Sequence, residues 1–189
     1  EVRLSKLALG LDPEQKFRVP EEVVQTLRAN DAERRVLREA WEARLESYPE
    51  KELIRKILSG KIDTSGMAWP VFKAGETMAT RKASEAAIQA AAAGIPQLIG
   101  GSADLAESNC THIKGAAGLN RANYGGRNIA FGIREHAMAA VCNGISLHGG
   151  VRPFCATFLV FHDYHRPSVR LSALMKQPVI YVYTHDSVW

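Results

Sequence analysis

From residue 76 onward, short apolar runs alternate with stretches long enough to form helices. Residues 80–93 are Ala-rich and read as a helix, and 96–99 as a short strand ending at a Gly-Gly pair. A strand over 128–133, a helix over 134–147, a strand over 151–157, a helix over 158–176 and a strand over 178–184 follow. The last run, PVIYVYT, shows no polar alternation at all. Strands that alternate with helices form parallel sheets, because each crossover helix lies on a face and buries it. Continuous rather than alternating hydrophobicity suits a strand buried on both sides, so 178–184 is expected to lie centrally. The predicted class is α/β, a parallel sheet covered by helices.

The preceding part is different. Residues 1–60 hold 12 basic and 12 acidic residues, whereas 61–189 hold 12 and 8, so the net charge of +4 lies entirely in the later, charge-poor part. Helices are expected after Pro20, where proline and two acids suit a first turn, over 31–47, and near 50–59 up to Gly60. Gly66, Pro70 and Gly75 mark 61–75 as a linker. A solvated helical segment therefore precedes the α/β domain. The chain starts at Glu1 rather than Met and stops at Trp189 just after a strand, so it is expected to be part of a longer protein.

Composition excludes several classes. At 46% hydrophobic and 23% charged, the chain is an ordinary globular one. No window approaches the roughly 18 to 20 apolar residues of a membrane span. The mild positive charge is too weak to imply nucleic acid. Cys110, Cys142 and Cys155 cannot all pair and none sits in a CxxC, which suits reduced thiols in a cytoplasmic protein.

Ligands of open parallel sheets bind beyond the carboxyl ends of the strands. After the first strand come Asp104, Ser108 and Asn109; after the second, Arg134, Glu135 and His136; after the third, Phe158 and Phe161; after the last, His185, Asp186 and Ser187. Glu135 opens a helix of otherwise apolar residues. It serves the helix dipole, or it is a carboxyl in an apolar pocket that shares a proton with a ligand nitrogen. Phe158, Phe161 and Tyr164 fall at i, i+3 and i+6, a core stripe or a stacking surface for a flat heteroaromatic ring. Arg81 and Lys82 form a solvated basic pair or bind phosphate. His162 and His165 stand at i, i+3, but no further Cys or His has a familiar metal spacing, so no metal ligand is assigned. Neither GxGxxG nor GxxxxGK[ST] occurs.

Five strings in order, ATRKAS (79–84), GGSADLAESN (100–109), GIREHAMAAVCNGISLHGG (132–150), TFLVFHDY (157–164) and VYTHDS (182–187), resemble the transketolase family. The resemblance covers essentially the whole chain. It implies that 73–189 is a pyrimidine-binding domain of the thiamine-diphosphate-binding fold, and that 1–72 holds the last helices of a diphosphate-binding domain plus the linker. It implies transfer of a two-carbon ketol unit between sugar phosphates in the pentose phosphate pathway, with thiamine diphosphate and Mg2+. Glu135 matches the catalytic glutamate on N1′ of the aminopyrimidine, where a held proton promotes ionisation of the thiazolium C2. Phe161 matches the aromatic stacked on the pyrimidine, with Phe158 and Tyr164 beside it and Asp104 near the cofactor. Arg81, Ser108 and His185 match residues that bind the sugar phosphate, mostly at its phosphate end.

The family's metal and diphosphate ligands, and the GEDGPTHQP run that follows THDS, have no counterpart in these residues. The active site is implied to lie at a homodimer interface, so this stretch alone is expected to bind cofactor poorly and to show no turnover. A deoxyxylulose-phosphate synthase, a phosphoketolase or a non-catalytic pyrimidine-domain remnant are the alternatives. SADLAESN and THDS favour transketolase over the first two. The joint presence of Glu135, Phe161, Arg81, Ser108 and His185 speaks against the last.

Overall fold

The computed structural model describes residues 1–186; Ser187, the end of the predicted THDS run, and residues 188–189 lie outside the described residues. The chain divides into two compact units, Glu1–Lys51 and the residues from Glu52 onward. The first carries helices α1 (Val2–Ala8), α2 (Glu21–Arg28) and α3 (Asp31–Ser47). Each begins or ends where local chemistry dictates. Gly10 takes a positive φ of 69° after α1. Pro20, extended, precedes the two acids that open α2. Asp31 in the first turn of α3 pairs with Arg34 at 3.2 Å.

After α4 (Lys51–Leu58), the second unit runs α5 (Thr80–Gly94), β1 (Leu98–Ser102), α6 (Ala106–Asn109), β2 (Asn128–Ala130), α7 (Glu135–His148), β3 (Arg152–Phe158), a 3-10 turn Leu159–Phe161, α8 (His162–Leu174) and β4 (Ile180–Thr184). All strand pairs are parallel and the order is β2-β1-β3-β4. This is the expected parallel sheet covered by helices, preceded by a helical segment. Among the described residues no helix is long and apolar enough to cross a membrane.

Adjacent strand residues face opposite sides. Phe154 points to a core of Ile88, Ala92, Ile95, Leu98 and Ile113, centred on α5. Its neighbour Cys155 points to the other core, with Ala103, Phe131, Met138 and Cys142, centred on α7. Arg127 ties α5 to β1 by donating to the carbonyls of Ala92, Ile95 and Leu98 at 2.9 Å each, which satisfies open acceptors at the end of the helix.

Three expectations shift. The Gly-Gly pair lies inside β1 rather than after it. A Cβ on Gly100 would overlap the Phe154 carbonyl and ring, and one on Gly101 the Ile129 carbonyl, so the neighbouring strands need glycine there. Among the described residues β4 is an edge strand with Ile180 45% exposed, not a central one. The helix predicted from 158 starts at His162, after the 3-10 turn.

Candidate functional site

The last residues of the four strands, Ser102, Ala130, Phe158 and Thr184, share one end of the parallel sheet. The chain goes from β1 to β2 on one side and returns to β3 on the other, so the switch point lies between β1 and β3. Arg81, on the first turn of α5, reaches to this end. Its Nη1 donates to the Ser108 carbonyl at 3.1 Å and to Nε2 of His185 at 3.0 Å. A guanidinium only donates, so Nε2 accepts and the His185 proton sits on Nδ1. No other bond from the Arg81 side chain forms among the described residues, which leaves further N–H groups free for an anion.

Glu135 is the first residue of α7 and only 8% exposed. Among the described residues its carboxyl takes part in no hydrogen bond or ion pair. Met138 and Ala139, one turn on, are fully buried. The helix dipole accounts for an acid at this position but not for its burial. A ligand nitrogen that shares its proton fits that donor-free carboxyl.

The aromatic residues form a ladder rather than a core stripe. Phe158 and Phe161 stack at 6.0 Å and 14°, and Phe161 and Tyr164 at 6.2 Å and 28°. The 3-10 turn explains the first pair, since side chains at i and i+3 eclipse in that geometry. Asp186 fixes the turn by accepting the Val160 N–H on both carboxylate oxygens, at 3.0 and 3.1 Å. The Phe158 ring meets His185 edge-on at 5.0 Å, which joins the aromatic group to the Arg81 group. Tyr164 is 64% exposed and Phe158 and Phe161 are half-buried, so this ladder is a surface and not a core.

Asp104 sits just past β1 with a left-handed φ of 59°, a conformation that Asp tolerates better than most residues. It lines a cavity of about 460 Å³ beyond β1 and β2 together with Ser102, Ser108, His112 and Asn128. Thus Arg81, Ser108 and His185 are in direct contact, Phe158 links them to Phe161 and Tyr164, and Asp104 and Glu135 stand at the ends of β1 and β2.

His162 and His165 are engaged elsewhere. Both place Nδ1 2.9 Å from the Tyr183 hydroxyl, and Nε2 of His165 faces Cys155 Sγ at 3.7 Å. Burial, then the nearby His162 and His136, hold the His165 pKa down to about 4. The neighbouring Cys142 thiol, then burial, pushes the Cys155 thiol up, so it is a packing group and not a thiolate. The folded state therefore keeps His165 neutral, whereas the unfolded chain protonates it near pH 6.5. Its contribution to stability is full above that pH and lost as the pH falls towards and through about 4. The thermal midpoint is expected to drop over this window, and His165→Gln to flatten the drop. A midpoint equally pH-sensitive in the variant would exclude His165 as the cause.

Asn109, fully buried at the end of α6, and Asp186 beneath the 3-10 turn are among the polar residues that the sequence places beyond the strands, but the sequence assigns neither a role; their contacts to Thr184 and to the Val160 N–H supply it.

The gathering of polar residues at the switch point of a parallel sheet covered on both faces puts this unit among the α/β ligand-binding domains. Residues 76–189 match the transketolase pyrimidine binding domain and residues 1–62 match the transketolase thiamine diphosphate binding domain. The chain belongs to the transketolase family. The transketolase of Geobacillus stearothermophilus is 46% identical over 195 residues, covering 100% of this chain and 29% of its own length. That of Bacillus subtilis is 42% identical, again over 100% and 29%. Among solved structures, Pichia stipitis transketolase in complex with sedoheptulose-7-phosphate has a TM-score of 0.82 at 37% identity, covering 98% of this chain and 29% of that one. Campylobacter jejuni transketolase has a TM-score of 0.78 at 35% identity, covering 98% and 28%. The chain spans about 29% of the length of the curated relatives it matches.

Proposed function

We propose that the full-length protein carrying this chain is a transketolase, which moves a two-carbon ketol unit from a ketose phosphate to an aldose phosphate. In this reading 1–72 closes a diphosphate-binding domain and continues into the linker, and 73–189 is a pyrimidine-binding domain. The protein works in the cytoplasm as a homodimer with the site at the subunit interface. The observation that carries the reading is the shared Nη1 of Arg81. It joins Ser108 and His185, 27 and 104 positions away, into one group suited to a phosphate.

Bound thiamine diphosphate supplies a nucleophilic carbon for the ketol unit. This chain's residues act around it. Glu135 holds a proton at the aminopyrimidine N1′, where its carboxyl has no competing partner among the described residues. Phe161 presents its ring face to the pyrimidine, with the near-parallel rings of Phe158 and Tyr164 beside it at 6.0 and 6.2 Å. Asp104 stands near the cofactor, beyond β1. Arg81, Ser108 and His185 hold the phosphate end of the sugar and so fix the distance from that end to the reacting carbon. In this reading the Mg2+ ligands come from elsewhere in the protein.

The test is product analysis with xylulose 5-phosphate and ribose 5-phosphate. The full-length protein is expected to release the seven-carbon ketose phosphate and the three-carbon aldose phosphate. Failure to form them with thiamine diphosphate and Mg2+ supplied would reject the reading.

A further inference from the structure

Ser102 ends β1 and Thr184 ends β4, and β3 lies between these strands, so they share no ladder bonds and stand about 10 Å apart. One side chain spans the gap. Asn109 Oδ1 accepts from the Thr184 hydroxyl at 2.6 Å, and its Nδ2 donates to Ser102 Oγ at 2.8 Å. Ser102 Oγ in turn donates to the Ala156 carbonyl of β3 at 3.0 Å. Each donor in this chain of bonds finds one acceptor, and Asn109 is wholly buried.

The neighbours of this link give it consequence. Ser108 directly precedes Asn109 and His185 directly follows Thr184. These are the two residues that share Nη1 of Arg81. The Asn109–Thr184 bond therefore sets the separation of the two acceptors that one guanidinium N–H group must meet together. We infer that Asn109, through Thr184, is a positioning residue that holds Ser108 and His185 at the spacing Arg81 needs to bind a sugar phosphate. The inference rests on the reading of Arg81, Ser108 and His185 as the phosphate-binding group. Asn109 and Thr184 act through those neighbours and not on the ligand. Among the described residues the buried hydroxyls of Thr111 and Thr157 have no partner, so simple satisfaction of buried polar atoms does not explain why this link is built in full.

The experiment is steady-state kinetics of full-length Thr184→Val, which keeps the shape and removes the hydroxyl, beside Thr184→Ser, which keeps the hydroxyl. Xylulose 5-phosphate and unphosphorylated xylulose serve as donors, and Arg81→Ala is run in parallel. Thr184→Val is expected to raise KM for the phosphorylated donor about tenfold, the scale of one buried hydrogen bond, with kcat and the KM for xylulose unchanged. Thr184→Ser is expected to restore the normal KM. Equal effects on both donors, no effect on either, or no rescue by serine would each overturn the inference. An unchanged KM in Arg81→Ala would overturn the reading beneath it. A raised KM there with a normal one in Thr184→Val would overturn the positioning role alone.

Discussion

Glu135→Gln in the full-length enzyme is expected to lower kcat by about 10² or more, the usual scale for a positioned acid–base group. The variant keeps the shape of the side chain and can still hydrogen-bond a ring nitrogen, but it has no acidic proton to share. The same change should leave the fold intact. Glu135 as a whole is 8% exposed and its carboxyl has no partner among the described residues, so the amide breaks no protein contact there. A fall in turnover together with an unchanged thermal midpoint is the expected signature of a residue that acts in the chemistry and not in the fold. Near-normal kcat would remove Glu135 from the chemistry. A lowered midpoint with turnover reduced in proportion would make it a structural helix-start acid.

The parts of this molecule that the sequence makes legible are those governed by local periodicity. Alternating apolar runs and helical stretches define the parallel sheet, because burial on both faces leaves the same mark on every strand. The boundaries of β1 are a different matter. Gly100 and Gly101 look like punctuation, yet their lack of a Cβ is what lets Phe154 and Ile129 approach within the sheet. The position of β4 at the edge is equally hidden, since a run of apolar residues does not say which strands lie beside it. Phe158, Phe161 and Tyr164 have the spacing of a core stripe, and only the intervening 3-10 turn makes them a ladder at the surface. The Arg81 group is legible only through family resemblance. Its members are separated by 27 and 104 positions, and no local pattern encodes a contact of that range. Asn109 reads as one of several polar residues after the first strand until the ends of β1 and β4 are seen to flank it.

Arg81→Ala should produce the second large effect, on binding rather than on turnover. Two losses combine. In the proposed reading the guanidinium no longer meets the phosphate, where charge-assisted bonds are about twice as strong as neutral ones. The Ser108 carbonyl and His185 Nε2 also lose their common donor, so the remaining partners of the phosphate are no longer held together. KM for a phosphorylated donor is expected to rise roughly 10²-fold, as follows from losing bonds to a charged group, with kcat near normal once the site is saturated. Arg81→Lys should recover only part of this. An ammonium is a point charge on a flexible stem, and it cannot bond the carbonyl and the imidazole with one fork while turning the other to the ligand. An unphosphorylated donor should show little change with either variant. If both donors lose affinity alike, Arg81 supports the fold of the strand ends and does not recognise the phosphate. If the phosphorylated donor alone is weakened, the shared N–H between residues 108 and 185 is the organising contact of the substrate site.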